Sequence, residues 1–236
     1  MRKAARIAVL VGALALPAGA QAATPHAYVM VVGKAKVLQA PRDVALTSRA
    51  VRVGGRRCAV PARSPLSALL GTRLKLGLRD YARCSGRAAD ASGLYVARVG
   101  PDAARGRSGW VYKVGHVTGS AGAADPDGAR LRGGASLLWF WCRANPAGGC
   151  QRTLDVRPAS TRVAAGAPLR VTVRGYDDQG RGVAVAGATV RLGDARAVTG
   201  ADGVATVTAP AGSGRVRLVA ARGGMVRSFG REISIR

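Results

Sequence analysis

The C-terminal third of the chain alternates between apolar and polar residues with a period of two. Leu169, Val171 and Val173 fall on one face of a predicted strand, with arginine and threonine between them on the other. The same alternation recurs at Val190 and Leu192, Val204 and Thr206, Val216 and Leu218, and Ile233 and Ile235. Turn-forming segments at residues 177–180, 200–203 and 212–214 separate these strands. About seven short strands at this spacing predict an all-β sandwich.

The segment before the sandwich combines strands with one main helix. Ser64 is the predicted N-cap and Pro65 takes the first helical position. Leucines then recur at helical spacing up to a predicted C-cap at Gly77, and they form one apolar stripe: Leu66, Leu69, Leu70 and Leu74. Strands are predicted over residues 27–32, 94–99, 110–114, 137–142 and 153–156, with another starting at residue 51. One helix on a mostly antiparallel sheet predicts an α+β domain.

A change of composition separates these two parts. All four cysteines and all three tryptophans precede residue 151, and the remainder contains neither. We therefore predict a boundary near residue 157, with a signal peptide over residues 1–22, the α+β domain over residues 23–156 and the sandwich over residues 157–236. Lengths of roughly 130 and 80 residues are each typical of one small domain.

The first 22 residues have the pattern of an export signal. Three basic residues precede an apolar run over residues 7–16, and Ala20, Gln21 and Ala22 form a small-x-small cleavage site. The run is too short to cross a bilayer, which takes about 20 apolar residues. No later segment is long and apolar enough to do so. We therefore expect a secreted or cell-envelope protein that is cleaved near Ala22 and has no membrane span in its mature form.

The chain is strongly basic. Its formal charge of +25 falls to +22 when Arg2, Lys3 and Arg6 leave with the signal. Such a charge favours an anionic partner, for example an envelope polymer. A nucleic-acid site usually groups its cations on one element, whereas these arginines are scattered singly, so we predict no specific nucleic acid. A general bias toward arginine, alanine and glycine would give the same totals, and that origin of the charge stays open.

The four cysteines predict two disulfides, because an even number in an exported chain usually pairs. The simplest pairing joins Cys58 to Cys84 and Cys142 to Cys150, although nested or crossed pairings are compatible with the sequence. The chain has no Cys-x-x-Cys motif and no nearby histidine pair, so we predict no zinc site.

Aromatic residues on two predicted strands are the candidate ligand contacts. Trp110 and Tyr112 share one face of their strand, and Trp139 and Trp141 share one face of theirs. Buried cross-strand pairs would explain them as core. The alternative is an exposed platform for a glycan, a peptide or a small planar ligand, since such rings stack while their polar edges stay free. The sequence favours the core and leaves the platform open.

No catalytic pattern stands out. The mature chain has only two histidines, His26 and His116, and neither belongs to a nucleophile–base motif. Asp125 with Asp127, and residues 177–178, are paired carboxylates, but each pair lies in a turn sequence where aspartate caps its own backbone. We therefore predict a protein that is not an enzyme and needs no cofactor or metal, with a hydrolase using Asp125 and Asp127 as the alternative.

Two resemblances extend this interpretation. Residues 65–70, 109–114, 123–126 and 137–141 carry a likeness to the transcobalamin-like C-terminal family, over residues 27–156. That resemblance implies a β-grasp, or ubiquitin-like, fold. Residues 185–190 and 199–205 resemble bacterial immunoglobulin-like or carboxypeptidase-regulatory-like sandwich modules, over residues 158–236. In transcobalamins the C-terminal domain closes over a corrinoid held against a helical barrel, and this chain has no such barrel.

These observations predict a secreted, non-catalytic binding or adhesion protein of the bacterial envelope. The alternatives are the hydrolase described above, a corrinoid-related binding module, and a structural envelope component held by charge.

Overall fold

Two β-rich modules make up the computed structural model, which describes residues 23–119, 122–125 and 131–236. The predicted signal peptide and Asp127 lie outside these residues. We call the described residues up to 152 the first module and residues 153–236 the second module. In the described part of the chain, no helix is long and apolar enough to cross a membrane.

The first module is built on a mixed five-stranded sheet. Its elements are β1 (His26–Val32), β2 (Val37–Ala45), β3 (Arg49–Val53), β4 (Arg56–Val60), α1 (Pro65–Gly71), β5 (Leu76–Asp80), a short 3-10 helix (Ala88–Ala91), β6 (Leu94–Val99), β7 (Asp102–Ala103), β8 (Gly109–Val114), β9 (Val117–Thr118) and β10 (Ala135–Cys142). The main sheet has the order β2-β1-β10-β8-β9, and only its central pair, β1 and β10, is parallel. A β3–β4 hairpin and a β5–β6–β7 sheet complete the module.

Helix α1 begins where the sequence predicts and ends earlier. The Ser64 hydroxyl accepts a hydrogen bond from the backbone N–H of Ser67, which caps the first turn. The helix ends at Gly71, because the Thr72 hydroxyl donates to the Leu69 carbonyl and Arg73 takes a left-handed conformation with φ of 63°. The prediction of Gly77 as the C-cap is therefore wrong: that glycine lies within β5.

Both faces of the central strand β10 are buried. Leu137 and Trp139 face the core under α1. Leu138 and Phe140 face the other way, into a second cluster that includes Val226 of the second module. The second module thus covers the sheet face that the helix leaves open, which explains why β10 is almost continuously apolar.

The second module is a two-layer β-sandwich. Its strands are β11 (Thr153–Pro158), β12 (Arg162–Val163), β13 (Pro168–Tyr176), β14 (Gly182–Ala184), β15 (Thr189–Leu192), β16 (Ala195–Val198), β17 (Val204–Thr208), β18 (Gly214–Ala221) and β19 (Arg231–Ile235). One sheet joins β11, β13, β14 and β17, and the other has the order β12-β19-β18-β15-β16. Alternate apolar residues from both sheets fill the core between them. This layout confirms the predicted all-β sandwich.

Strand β11 belongs to the second module. Residues 153–156 are predicted to belong to the first domain, yet all of β11 pairs antiparallel with β13. Leu154 and Val156 are buried in the sandwich core. The predicted boundary near residue 157 therefore falls inside β11, although the composition already changes after Cys150.

We expect a fragment of residues 152–236 to unfold cooperatively and a fragment of residues 159–236 to be far less stable. The shorter fragment loses the burial of Leu154 and Val156, which contributes about 3–6 kcal/mol, and it leaves β13 without one partner strand. Thermal unfolding followed by circular dichroism compares the two. Equal melting temperatures would show that β11 is dispensable to the sandwich.

The disulfides join Cys58 to Cys84 and Cys142 to Cys150, as the simplest predicted pairing has it. The first ties β4 to the loop after β5, and the second closes the loop that leads from β10 toward β11. Each bond therefore braces the first module near a point where its chain leaves a sheet.

Candidate functional site

Three of the four candidate aromatic residues lie in the core. Trp110, Tyr112 and Trp139 are each at most 5% exposed. The rings of Tyr112 and Trp139 lie 5.3 Å apart between centroids, and the Trp139 indole N–H donates to the Pro65 carbonyl at 3.2 Å. These contacts fix the two strands on α1, as the core interpretation predicts. Phe140 on the opposite face is buried as well, because the second module covers it.

A cavity of about 450 Å³ reaches the edges of these buried rings. Gly119 and Gly122 border it, on either side of residues 120–121, which the structure does not describe. We therefore assign no ligand to this cavity.

Trp141 is placed differently from the other three. It lies at the end of β10, half-buried, and its indole N–H donates to the Ala103 carbonyl at 3.2 Å. The ammonium of Lys34 lies 4.4 Å from the centre of its ring, within the range of a cation–π contact. Trp141 is thus the one candidate aromatic whose ring borders a charged cleft.

This junction cleft runs between the two modules and has a volume of about 210 Å³. Its walls come from the β1–β2 turn, the end of β10 with the following loop, and residues 224–227 of the second module. Four cationic side chains line it, and its lining residues include no carboxylate: Lys34, Lys36, Arg143 and Arg227. A concave site with several cations and one aromatic face is suited to an anion attached to an apolar ring.

Hydrogen bonds between the walls hold the junction cleft in shape. The Arg143 guanidinium donates to the Lys34 carbonyl at 3.1 Å, which ties the loop after β10 to the β1–β2 turn. The Gln151 side-chain oxygen accepts a hydrogen bond from the backbone N–H of Arg143 at 2.7 Å, and its amide nitrogen donates to the Trp141 carbonyl at 2.9 Å. The carboxylate of Asp102 accepts a hydrogen bond from the Lys34 backbone N–H, and this bond orders the β1–β2 turn. The cleft is therefore largely formed before a ligand arrives.

A buried lysine joins the modules next to this region. Lys113 on β8 is fully buried, and its ammonium donates to the carbonyls of Asp177 at 2.7 Å and Tyr176 at 3.2 Å. The Asp178 carboxylate lies 3.6 Å away and also accepts from the Thr118 hydroxyl. Burial lowers the pKa of Lys113 below its ordinary value, and the charge of Asp178 opposes that shift. These contacts connect β8 of the first module to the end of β13 and the turn that follows it in the second module.

Both histidines contact side chains of neighbouring strands or turns. His116 is half-buried between the modules, where its ring stacks on Tyr176 with centroids 3.7 Å apart. Burial lowers the pKa of His116, while the carboxylate of Asp155 at 3.7 Å opposes this. His26 is exposed and lies 2.8 Å from Asp43.

The structure describes both aspartates at residues 177–178 but only one aspartate of the other pair. Asp177 caps its own turn, since its carboxylate accepts the backbone N–H groups of Gln179 and Arg181, and these bonds hold its pKa below the usual range. The turn prediction is confirmed there. Asp125 is described and Asp127 is not, so the hydrolase alternative stays a prediction.

Sequence reasoning found only Trp141 among the cleft residues. Lys36 and Arg143 are more than 100 positions apart, and Arg227 lies another 84 positions further along the chain (227 − 143 = 84). The Gly33-Lys34-Ala35-Lys36 turn was the one local signal, and two lysines in a turn are common on any basic surface. The cleft arises from the contact between modules, which the residue pattern does not encode.

No family model matches the chain, and no curated protein matches it. Among solved structures, the D00-D0 domain of Intimin aligns with 81% of this chain and 93% of its own length, at 17% identity and a TM-score of 0.29. The D0-D1 domain of Intimin aligns with 89% of this chain and 96% of its own length, at 15% identity and a TM-score of 0.27. At TM-scores this low, neither likeness indicates what the chain binds.

Proposed function

We propose that this chain is an exported, non-catalytic binding protein that holds an anionic polysaccharide of the cell envelope in the junction cleft. The observation that carries the proposal is the cleft itself, whose lining includes four cationic side chains and Trp141 but no acidic residue. Two disulfides support an oxidising compartment, in agreement with the predicted export signal.

The cleft chemistry favours a charged glycan over a bare anion. The cations attract carboxylate or phosphate groups, and this attraction raises the rate of association. Lys34 is exposed, so its ammonium can turn from the Trp141 ring toward an arriving anion. The ring then offers an apolar surface on which the C–H face of a sugar packs. A glycan that carries regular negative charges satisfies both features.

The first module supplies most of the residues that line the cleft. We assign it to the β-grasp type, supported by the β2-β1-β10-β8-β9 order, the parallel central pair and the helix across one face. The second module supplies one wall of the cleft through residues 224–227, and the Lys113 ammonium bonds this module to the first one. No residue in this proposal has a catalytic role, and no cofactor or metal is required.

Reversing charge inside the junction cleft should weaken binding far more than reversing it elsewhere. We expect the double variant Lys36→Glu with Arg227→Glu to bind sodium polygalacturonate at least tenfold more weakly, because the cleft then repels the polymer. The matched control is Arg191→Glu with Arg196→Glu, an exposed cross-strand pair on the outer face of the sandwich that gives the same change in net charge. Isothermal calorimetry or biolayer interferometry gives both affinities.

An equal loss of affinity in the two double variants would contradict the proposal, since it would mean that binding depends only on the total charge of the protein. Dextran, which is neutral, serves as the ligand control and should not bind measurably to any of these proteins.

A further inference from the structure

A second group of cationic and aromatic side chains lies on the outer face of the β5–β6 pair. Arg79 and Tyr95 are opposite each other in the strand register, and Tyr81 follows on the same face as Arg79. Arg98 is exposed next to them. Tyr81 is 70% exposed and Tyr95 is 38% exposed, so neither ring contributes to the core.

The two tyrosines form an ordered pair. Their ring centroids lie 6.1 Å apart with planes tilted by 53°. A side-chain hydrogen bond between Arg79 and the Tyr81 hydroxyl raises the pKa of that guanidinium. Tyrosine orders at little cost in conformational entropy, because it has only two side-chain torsions, and this makes it a common contact residue.

A groove of about 500 Å³ runs beside this pair, between β5, β6 and the segment after β7. It is lined by Arg79, Arg98 and Arg105 together with both tyrosines, and its lining residues include no carboxylate. Asp80 points to the opposite face, where it accepts from Arg56 at 2.8 Å. We call this site the tyrosine groove.

A glycine shapes the floor of the tyrosine groove. A Cβ atom on Gly77 would lie 3.0 Å from the Cβ of Arg98, closer than ordinary packing allows. The missing side chain therefore leaves room for Arg98, which is the cross-strand partner of Gly77 and also lines the groove.

Strand β7 connects the tyrosine groove to the junction cleft. Ala103 lines the groove, and its carbonyl accepts the indole N–H of Trp141 from the cleft side. Asp102, its neighbour, holds the Lys34 turn of the cleft. One extended ligand can therefore contact both sites across a strand of two residues.

We propose that the tyrosine groove is a second subsite for an anionic polysaccharide. Tyr81 and Tyr95 pack against its pyranose rings, while Arg79, Arg98 and Arg105 bind its acidic groups. This inference rests on the proposed function, and it adds that the ligand is a linear chain several sugars long. A polymer that occupies both sites gains from the high effective concentration of its second segment.

The test compares two tyrosine variants on two polyanions. In Tyr81→Ala and in Tyr81→Ala with Tyr95→Ala, the affinity for sodium polygalacturonate should fall by about fivefold and about tenfold, as expected for lost ring contacts. The affinity for sodium polyphosphate, which has charges and no sugar rings, should change less than twofold. Tyr28→Ala is the matched control, because Tyr28 is 53% exposed on another surface and should leave both affinities unchanged. Thermal melts establish that each variant is folded, and Tyr81 is exposed enough for its single variant to stay so.

Unchanged polygalacturonate affinity in both tyrosine variants would overturn the second subsite, while the effect of Lys36→Glu with Arg227→Glu would still support the junction cleft. Equal losses on polygalacturonate and polyphosphate would overturn the ring contact. Failure of the wild-type chain to bind polygalacturonate would overturn the proposed function and the subsite with it.

Discussion

Replacing Trp139 with alanine should lower the free energy of unfolding by about 3–5 kcal/mol, the cost usual for removing a large buried aromatic side chain. The ring is almost fully buried between α1 and the sheet, packs on Tyr112 and donates its N–H to Pro65. The deletion leaves a cavity that the disulfide-braced module cannot easily collapse. Guanidinium unfolding followed by circular dichroism gives the value.

Trp141→Ala is the matched control for that measurement. Its ring is half-buried at the cleft, so its removal should cost only about 1–2 kcal/mol while weakening binding to polygalacturonate. Stability close to wild type in Trp139→Ala would contradict its place in the core and restore it as a candidate contact.

Replacing Lys113 with methionine should also destabilise the protein, by about 3 kcal/mol. Methionine keeps most of the side-chain volume and removes the ammonium, so the carbonyls of Tyr176 and Asp177 and the carboxylate of Asp178 lose a buried donor. Lys75→Met is the control, because Lys75 is exposed. A small effect equal to that of the control would show that the buried lysine does not join the modules.

The Lys113 effect should depend on pH in a specific direction. Burial holds the pKa of Lys113 in the folded protein below its ordinary 10.5. Between those two values the unfolded chain binds more protons than the folded one, so stability contributed through Lys113 rises with pH. The stability of wild type relative to Lys113→Met should therefore increase across this alkaline window and level off above it. A difference that falls with pH would contradict the direction of the shift.

Local pattern predicted much of this fold. In the second module the alternation of Leu169, Val171 and Val173 identified a strand and its buried face correctly, because one face of each sheet meets the other. The start of the helix was also predicted correctly, since the Ser64 cap and Pro65 act within one turn. The helix end was not, because Thr72 and Arg73 stop it through backbone geometry that many residue types adopt.

The local residue pattern did not predict the contacts between the two modules. Side chains alternate between the two faces of β8, so Lys113 lies on the face away from Trp110 and Tyr112. In an isolated first module that face would be exposed to solvent. The second module buries that face, which turns a surface lysine into a structural one and encloses Phe140. The junction cleft has the same origin, because its cations come from distant segments that meet only when both modules have packed.

The central claim is that an anionic glycan binds beside Trp141. The most direct measurement follows the tryptophan indole N–H signals of ¹⁵N-labelled protein by NMR as trigalacturonate is added, with the Trp141 signal assigned from a Trp141→Phe spectrum. We expect the Trp141 signal to shift progressively with ligand, and that of Trp139, which is buried against Pro65, to stay in place. A stationary Trp141 signal at saturating trigalacturonate would contradict binding in the junction cleft.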